Sequence, residues 1–300
     1  MSGVAPSGGS PGSPGAAGAL AARTITVAGL RLATRVNTVA RAALARPALV
    51  VLPAAGGTLV EYQPLLERFA GERRVAALDW PGFGGSSRPA PADFAYSAAA
   101  YAGLLDHWLT AVGATRAVLL GTGIGATAAL RYTLDHPARV AGLALVGPWG
   151  FAARGFARAL LLGALSSPWV VARLEPAITS LALGPANPTT RAILAARRAA
   201  RRASDHQASL RALAALVRAQ RQAGAELASQ VGAITAPALV VRGALDPLVS
   251  AADARRAVAS LGQGKTLEVI LPNAGHLPWL QQPGPLLNAV AGLLETVEQG

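Results

Sequence analysis

Short apolar runs alternate with longer stretches of helical hydrophobic spacing along most of the chain. The runs are rich in Val, Leu and Ala, which is typical of strands buried on both faces of a parallel sheet. They predict strands over residues 48–53, 74–79, 117–120, 140–146, 238–242 and 266–270. Helical patterns occupy residues 61–69, 98–112, 126–135 and 285–297. A weaker segment, 24–38, is compatible with an antiparallel hairpin.

Strands separated by helices indicate an α/β fold with a mostly parallel sheet, helices on both faces and ligands at the carboxyl ends of the strands. Residues 149–233 interrupt this alternation with helical patterns alone, so we expect a helical cap inserted above that edge. The core then comprises residues 23–148 and 234–300. Residues 1–22 are rich in Gly, Ser, Pro and Ala, and we expect a disordered leader there.

The formal charge of +12 comes almost entirely from arginine, since the chain has a single lysine. An acidic partner would explain this charge, but no basic stretch alternates with aromatic residues, so we expect no nucleic-acid binding. The absence of cysteine excludes disulfides and thiol catalysis. No pair of histidines has metal-ligand spacing, and we expect neither a metal nor a cofactor.

The leader lacks the basic start and apolar core of a signal peptide. The longest apolar run in the middle of the chain, 159–171, is interrupted by Ser166, Ser167 and Pro168. It is shorter than the roughly 20 residues that a bilayer requires. We therefore expect a cytoplasmic protein that binds a small molecule and does not insert stably into a membrane.

Several segments, in consistent order, carry a resemblance to the α/β-hydrolase superfamily over roughly residues 24–298. They are LPAAGGT (52–58), DWPGFGGSSRP (79–89), LLGTGIGATAAL (119–130), VVRGALDPLV (240–249) and NAGHLPW (273–279). The resemblance implies an α/β-hydrolase fold, a strained turn carrying the catalytic nucleophile, and an acid and a histidine in later loops.

The chain departs from this family at the nucleophile. The elbow pattern G-x-S-x-G here reads Gly121-Thr122-Gly123-Ile124-Gly125, so glycine stands at the serine position. Gly123 cannot form an acyl intermediate, which closes the ordinary route. Thr122 lies one residue early, where its side chain should point away from the apex. The same glycines partly match a dinucleotide fingerprint, but no acid follows at the expected spacing of roughly 20 residues.

The resemblance places the two other triad members at Asp246 and His276. In this family the carboxylate orients the imidazole and stabilises its protonated form. The alternative interpretation is that Asp246 is a turn residue before Pro247 and His276 a histidine inherited without a role; the occurrence of both, in order and in matching loops, favours the first interpretation. The amides of Gly57, Thr58 and Ile124 are candidates for binding an oxyanion.

Three functions remain open at this point. The first is an enzyme without a covalent nucleophile, in which His276 and Asp246 act as a general base on a small, largely apolar carbonyl or ester compound. Lyase, isomerase, cyclase and direct water hydrolysis all suit it. The second is a silent homologue that binds a ligand or partner. The third is a hydrolase with a relocated hydroxyl, from Thr58, Ser86 or Ser97. An apolar pocket is expected from Trp80, Trp149, Trp169 and Trp279.

Overall fold

The structure is a computed structural model that describes residues 18–151, 160, 162–261 and 266–299, with the backbone alone at 221–225. Within this part of the chain the strands form one sheet. They are β1 (Leu20–Val27), β2 (Leu30–Asn37), β3 (Ala48–Leu52), β4 (Val75–Leu78), β5 (Ala117–Thr122), β6 (Val140–Val146), β7 (Ala238–Gly243) and β8 (Thr266–Leu271).

The strand order is β1-β2-β4-β3-β5-β6-β7-β8. The pairs β1–β2 and β2–β4 are antiparallel, and all other neighbours are parallel. After β3, the chain places β4 on one side of it and β5 on the other. The order in which strands are added to the sheet therefore reverses at β3. Leu52 pairs with Gly121, so the loops after β3 and β5 leave the sheet side by side. A ligand site is expected at such a reversal point.

The described helices include the four predicted in the core, three in the inserted region, where helical patterns were expected, and one at residues 251–260 that was not predicted. They are α1 (Leu59–Phe69), α2 (Ala98–Ala111), α3 (Ile124–Asp135), α4 (Pro168–Leu183), α5 (Pro188–Ala200), α6 (His206–Gln230), α7 (Ala251–Ser260) and α8 (Pro283–Gln299). Alternate residues of the central strands enter two apolar clusters, one on each face of the sheet. Every residue of β3, β5 and β6 is buried, which accounts for their unbroken apolar runs.

The described part of the region between β6 and β7 is helical apart from short connections, and it includes α4, α5 and α6. Val171 of α4 packs against α6. Glu175 of α4 pairs with Arg201, just after α5, at 2.8 Å, and Arg197 of α5 pairs with Glu61 of α1 at 2.6 Å. These contacts join the inserted helices to one another and to the core. That residues 149–233 act as a cap remains a prediction.

The amino-terminal boundary needs a correction. β1 begins at Leu20, so residues 20–22 pair with β2 instead of belonging to a leader. The polar, exposed side chains of this edge strand hid it from the hydrophobic pattern. Residues 1–17 lie outside the described residues.

Candidate active site

The turn between β5 and α3 is strained and tightly packed. Gly123 has φ 54° and ψ −114°, a conformation that L side chains rarely adopt. A Cβ on Gly121 would lie 2.5 Å from the backbone of Ala126, and one on Gly125 would lie 2.1 Å from the carbonyl oxygen of Leu52. The flanking glycines are therefore required for α3 to start this close to β3 and β5.

The structure brings Asp246 and His276 together beneath this turn. Nδ1 of His276 lies 2.7 Å from Oδ2 of Asp246, and both side chains are at least 97% buried. Oδ1 of Asp246 accepts the amides of Leu248 and Val249 at 2.8 and 3.1 Å. The carboxylate is thus fixed by its own loop, and it orients the imidazole ring.

The opposite nitrogen of His276 faces the elbow. Nε2 is buried and has no hydrogen-bond partner among the described residues. A Cβ on Gly123 would lie 3.1 Å from Nε2 and 3.5 Å from Nε1 of Trp149. Unpartnered buried polar atoms are uncommon and call for an explanation. This nitrogen points at the place where a side chain at position 123 would leave the backbone.

A second glycine makes room for the histidine. Gly147, just after β6, has φ 50°, and a Cβ there would lie 2.8 Å from the ring of His276 and 3.0 Å from Oδ2 of Asp246. A side chain at Gly147 would separate the acid from the ring. Gly147 could not be identified from the sequence, because a glycine after a strand has many ordinary explanations.

Thr122 is buried next to Tyr62. Its side chain is fully buried near the Tyr62 hydroxyl, and its Oγ1 has no hydrogen-bond partner among the described residues. Burial raises the pKa of Tyr62 well above its usual value, and Thr122 partly offsets this effect. The Tyr62 hydroxyl also accepts the amide of Ala54 at 2.9 Å. Thr122 therefore lies beside the residue whose hydroxyl holds the β3 loop, and no hydrogen bond within the described part of the chain directs it to His276.

The expected oxyanion amides are only partly available. The amide of Gly57 donates to the carbonyl of Ala54 at 2.9 Å, and that of Thr58 donates to Oε2 of Glu61 at 3.4 Å as half of a capping box. Turn formation and helix capping therefore use both. Among the described residues, the amides of Ala55 and Ile124 have no such partner. The Leu52–Pro53 backbone lies against Gly125, so the part of this loop that carries the unpartnered amides of Ala55 and Gly56 begins beside the elbow.

The four tryptophans expected in the pocket have different environments. Trp149 is partly buried beside Gly123. Trp80 is fully buried, stacks on Tyr101 and donates to the carbonyl of Pro53. Trp279 is buried against Tyr62 and donates to the carbonyl of Glu61. Trp169 is 77% exposed on α4. The pocket assignment is therefore corrected for Trp80 and Trp279, which belong to the core, and for Trp169, which faces solvent.

The alternative hydroxyl groups have structural partners. The Ser86 hydroxyl donates to the carbonyl of Asp79 at 2.6 Å and accepts the amide of Ala33 at 2.9 Å. The Ser97 hydroxyl caps α2 by accepting the amide of Ala100 at 3.1 Å. Thr58 is the N-cap residue of α1. None of these contacts directs a hydroxyl toward His276.

A separate cavity of about 570 Å³ lies between the β1–β2 hairpin, the start of α1 and helix α5. The Glu61–Arg197 ion pair and Asp79 line it. Asp79 accepts the amides of Leu59 and Gly85, both at 2.8 Å, yet burial raises its pKa to about 6. Neither Gly123 nor His276 lines this cavity. Sequence analysis missed it because its walls come from distant segments.

The described residues contain no cluster of His, Cys, Asp and Glu side chains suited to a metal ion. None of their helices is both long and apolar enough to cross a bilayer.

Comparison with known sequences matches residues 47–283 to the alpha/beta hydrolase fold family. A rat protein, 1-acylglycerol-3-phosphate O-acyltransferase ABHD5, is 36% identical over 107 residues, covering 35% of this chain and 30% of the relative. A human (lyso)-N-acylphosphatidylethanolamine lipase is 33% identical over 110 residues, covering 36% of this chain and 32% of the lipase. These matches thus span about a third of each relative's length.

Solved structures agree on the fold. A 2-hydroxy-6-oxo-6-phenylhexa-2,4-dienoate hydrolase from Rhodococcus superimposes with a TM-score of 0.74 at 19% identity, covering 94% of this chain and 99% of that one. A hydrolase from Pseudomonas aeruginosa gives 0.72 at 22% identity, covering 91% and 98%. The predicted α/β-hydrolase fold, with its mostly parallel sheet flanked by helices, is confirmed. The chain belongs to the α/β-hydrolase family.

Proposed function

We propose that this protein is an α/β-hydrolase-fold enzyme that acts on a small, largely apolar carbonyl or ester compound without forming a covalent intermediate. His276, oriented by Asp246, is the general base. One observation carries the proposal: Nε2 of His276 is buried, has no hydrogen-bond partner in the described part of the chain and faces Gly123, which has no hydroxyl. A base held in this way is free to take a proton from a bound molecule.

For an ester, the step is direct attack by water. The water oxygen bonds to the carbonyl carbon while one of its protons moves to Nε2, and Asp246 stabilises the resulting imidazolium. The carbonyl oxygen becomes an oxyanion facing the amides of Ile124 and Ala55, at the positive end of the α3 dipole. Collapse of the intermediate expels the alkoxide, which takes the proton back from Nε2. Lyase, isomerase and cyclase steps would use the same base.

The expected substrate is intrinsically reactive. General-base catalysis supplies roughly 10²–10⁴-fold acceleration, which favours activated esters, lactones or compounds with an acidic proton next to a carbonyl. The two curated relatives are named for acyl transfer and for lipase activity, and an acyl ester is consistent with both names. Trp149, which lies beside Gly123, is a partly buried aromatic residue and is consistent with a largely apolar substrate.

A catalytically silent binding protein is the second candidate. It is favoured by the internal hydrogen bonds of the Gly57 and Thr58 amides, which remove two expected oxyanion donors. Such a protein would bind the substrate-like ligand equally well after His276 is replaced, and it would form no product at any pH.

Pre-steady-state turnover of p-nitrophenyl butyrate tests the noncovalent route. The wild-type protein should release p-nitrophenol without an initial burst, because no acyl-enzyme accumulates. The Gly123→Ser variant should show a burst and become labelled by a fluorophosphonate. Wild-type burst kinetics or labelling at any serine or threonine would overturn the proposal.

A further inference from the structure

The indole nitrogen of Trp149 differs from those of the other buried tryptophans. Nε1 of Trp80 donates to the carbonyl of Pro53, that of Trp108 to Thr34, and that of Trp279 to the carbonyl of Glu61. Nε1 of Trp149 donates to no protein acceptor among the described residues, and it would lie 3.5 Å from a Cβ on Gly123. A donor that is partly buried and unused is available for a ligand.

The backbone of Trp149 is held against the elbow. The Thr127 hydroxyl lies 3.1 Å from the carbonyl of Gly123 and 3.0 Å from the carbonyl of Trp149. The amide of Trp149 approaches the same Gly123 carbonyl at 3.5 Å. The elbow therefore fixes the backbone of Trp149, from which the indole extends to the side of Gly123.

The two free ring nitrogens have complementary hydrogen-bonding roles. When Nδ1 of His276 carries its proton toward Asp246, Nε2 of the neutral ring is an acceptor. Nε1 of Trp149 is always a donor. A hydroxyl group donates to one and accepts from the other, whereas a carbonyl oxygen only accepts and an ammonium group only donates. The pair therefore selects a hydroxyl.

We propose that His276 and Trp149 form a hydroxyl-binding subsite beside Gly123, which holds the oxygen that attacks the substrate. The ligand is water or a small primary alcohol. This inference rests on the proposed function and assigns Trp149 as the residue that positions the nucleophile. With an alcohol bound, its oxygen bonds to the carbonyl carbon, its proton passes to Nε2, and the leaving alkoxide takes that proton. The product is then a new ester.

The first test compares Trp149→Phe with Trp169→Phe, the same substitution at an exposed position. With p-nitrophenyl butyrate, Trp149→Phe should lower kcat by about 5- to 20-fold and leave KM within about twofold, because the lost bond contacts the nucleophile only. Addition of 1-propanol should give propyl butyrate beside butyric acid, which separates the alcohol source from water. Trp149→Phe should change this product ratio, and Trp169→Phe should match wild type.

A binding measurement keeps the proposal testable without turnover. In NMR spectra, 1-propanol should shift the Hε1 resonance of Trp149, which is identified by its loss in Trp149→Phe. Gly123→Ala, whose methyl group enters the subsite, should abolish the shift. If Trp149→Phe behaves like Trp169→Phe while His276→Ala is inactive, the subsite is wrong and the proposed function stands. If 1-propanol leaves the Trp149 resonance unmoved, the subsite is also wrong.

Discussion

The ring of His276 connects Asp246 to Gly123. One nitrogen lies 2.7 Å from the carboxylate, and the other lies 3.1 Å from the point where a side chain of residue 123 would begin. An acid and an imidazole in this arrangement normally activate a hydroxyl on the protein. Gly123 has no hydroxyl, and in the proposed function the bound molecule supplies one.

Asp246→Asn should impair the base without unfolding the protein. The asparagine amide can donate to Nδ1, which favours the tautomer with its proton on Nε2. We expect turnover of p-nitrophenyl butyrate to fall by roughly 10²–10⁴-fold, as for comparable acid-histidine pairs. Circular dichroism should stay unchanged. Wild-type turnover by this variant would separate Asp246 from catalysis.

Gly125→Ala should destabilise the protein because its Cβ would overlap the carbonyl oxygen of Leu52 at 2.1 Å. We expect a loss of about 2–4 kcal/mol in the free energy of unfolding, or failure to fold. Gly292→Ala in α8 is the matched control, since a Cβ there meets nothing within 4 Å. It should stabilise by about 0.5–1 kcal/mol. Urea denaturation measures both, and equal effects would contradict the packing described for the elbow.

The carboxyl of Asp79 should titrate at about pH 6, because burial raises its pKa from 3.8 to about 6. The folded state then holds this proton more tightly than the unfolded state. Its contribution to stability is present below pH 4 and is lost as pH rises to 6. The free energy of unfolding due to this group should fall by about 2–3 kcal/mol across that window.

Asp79→Asn removes this titration and is the reference for it. The difference in unfolding free energy between wild type and variant should decrease from pH 4 to 6.5 and then remain level. Carboxyl chemical shifts measured by NMR give the pKa directly. A difference that increases with pH, or a midpoint near 4, would contradict the assigned effect of burial.

The ion pair between Glu61 and Arg197 should show strong coupling. Glu61 is 2% exposed, so Arg197→Met leaves a buried charge and should cost about 3–5 kcal/mol. The double variant Glu61→Gln/Arg197→Met should recover part of this loss. Arg198→Met, at an exposed neighbouring position, should change stability by less than about 0.5 kcal/mol. Additive single effects in the double-mutant cycle would show that the pair does not attach α5 to the core.

Strands with continuous apolar runs could be predicted from the sequence almost to the residue. The predicted 140–146 matches β6, and 48–53 differs from β3 by one residue. The start of β1 was missed because an edge strand with exposed polar residues lacks that pattern. The order of the family motifs along the chain predicted that Asp246 and His276 touch. They lie in the loops after β7 and β8, which are neighbours in the sheet.

The lining of the site was less predictable. The expected edge of the sheet carries three tryptophans, Trp80, Trp149 and Trp279. Packing buries Trp80 and Trp279 in the core and leaves Trp149 beside Gly123, and the sequence alone does not show this difference. Likewise, a glycine-rich loop offers several amides, but the turn at Gly57 and the capping box at Thr58 decide which are free. Such choices depend on contacts between distant segments.

Turnover of p-nitrophenyl butyrate by His276→Ala tests the central claim most directly, with exposed His107→Ala as the matched control. If His276 is the general base, kcat/KM should fall by at least about 100-fold in the first variant and stay at the wild-type value in the second. Equal kcat/KM in wild type and His276→Ala would contradict the account.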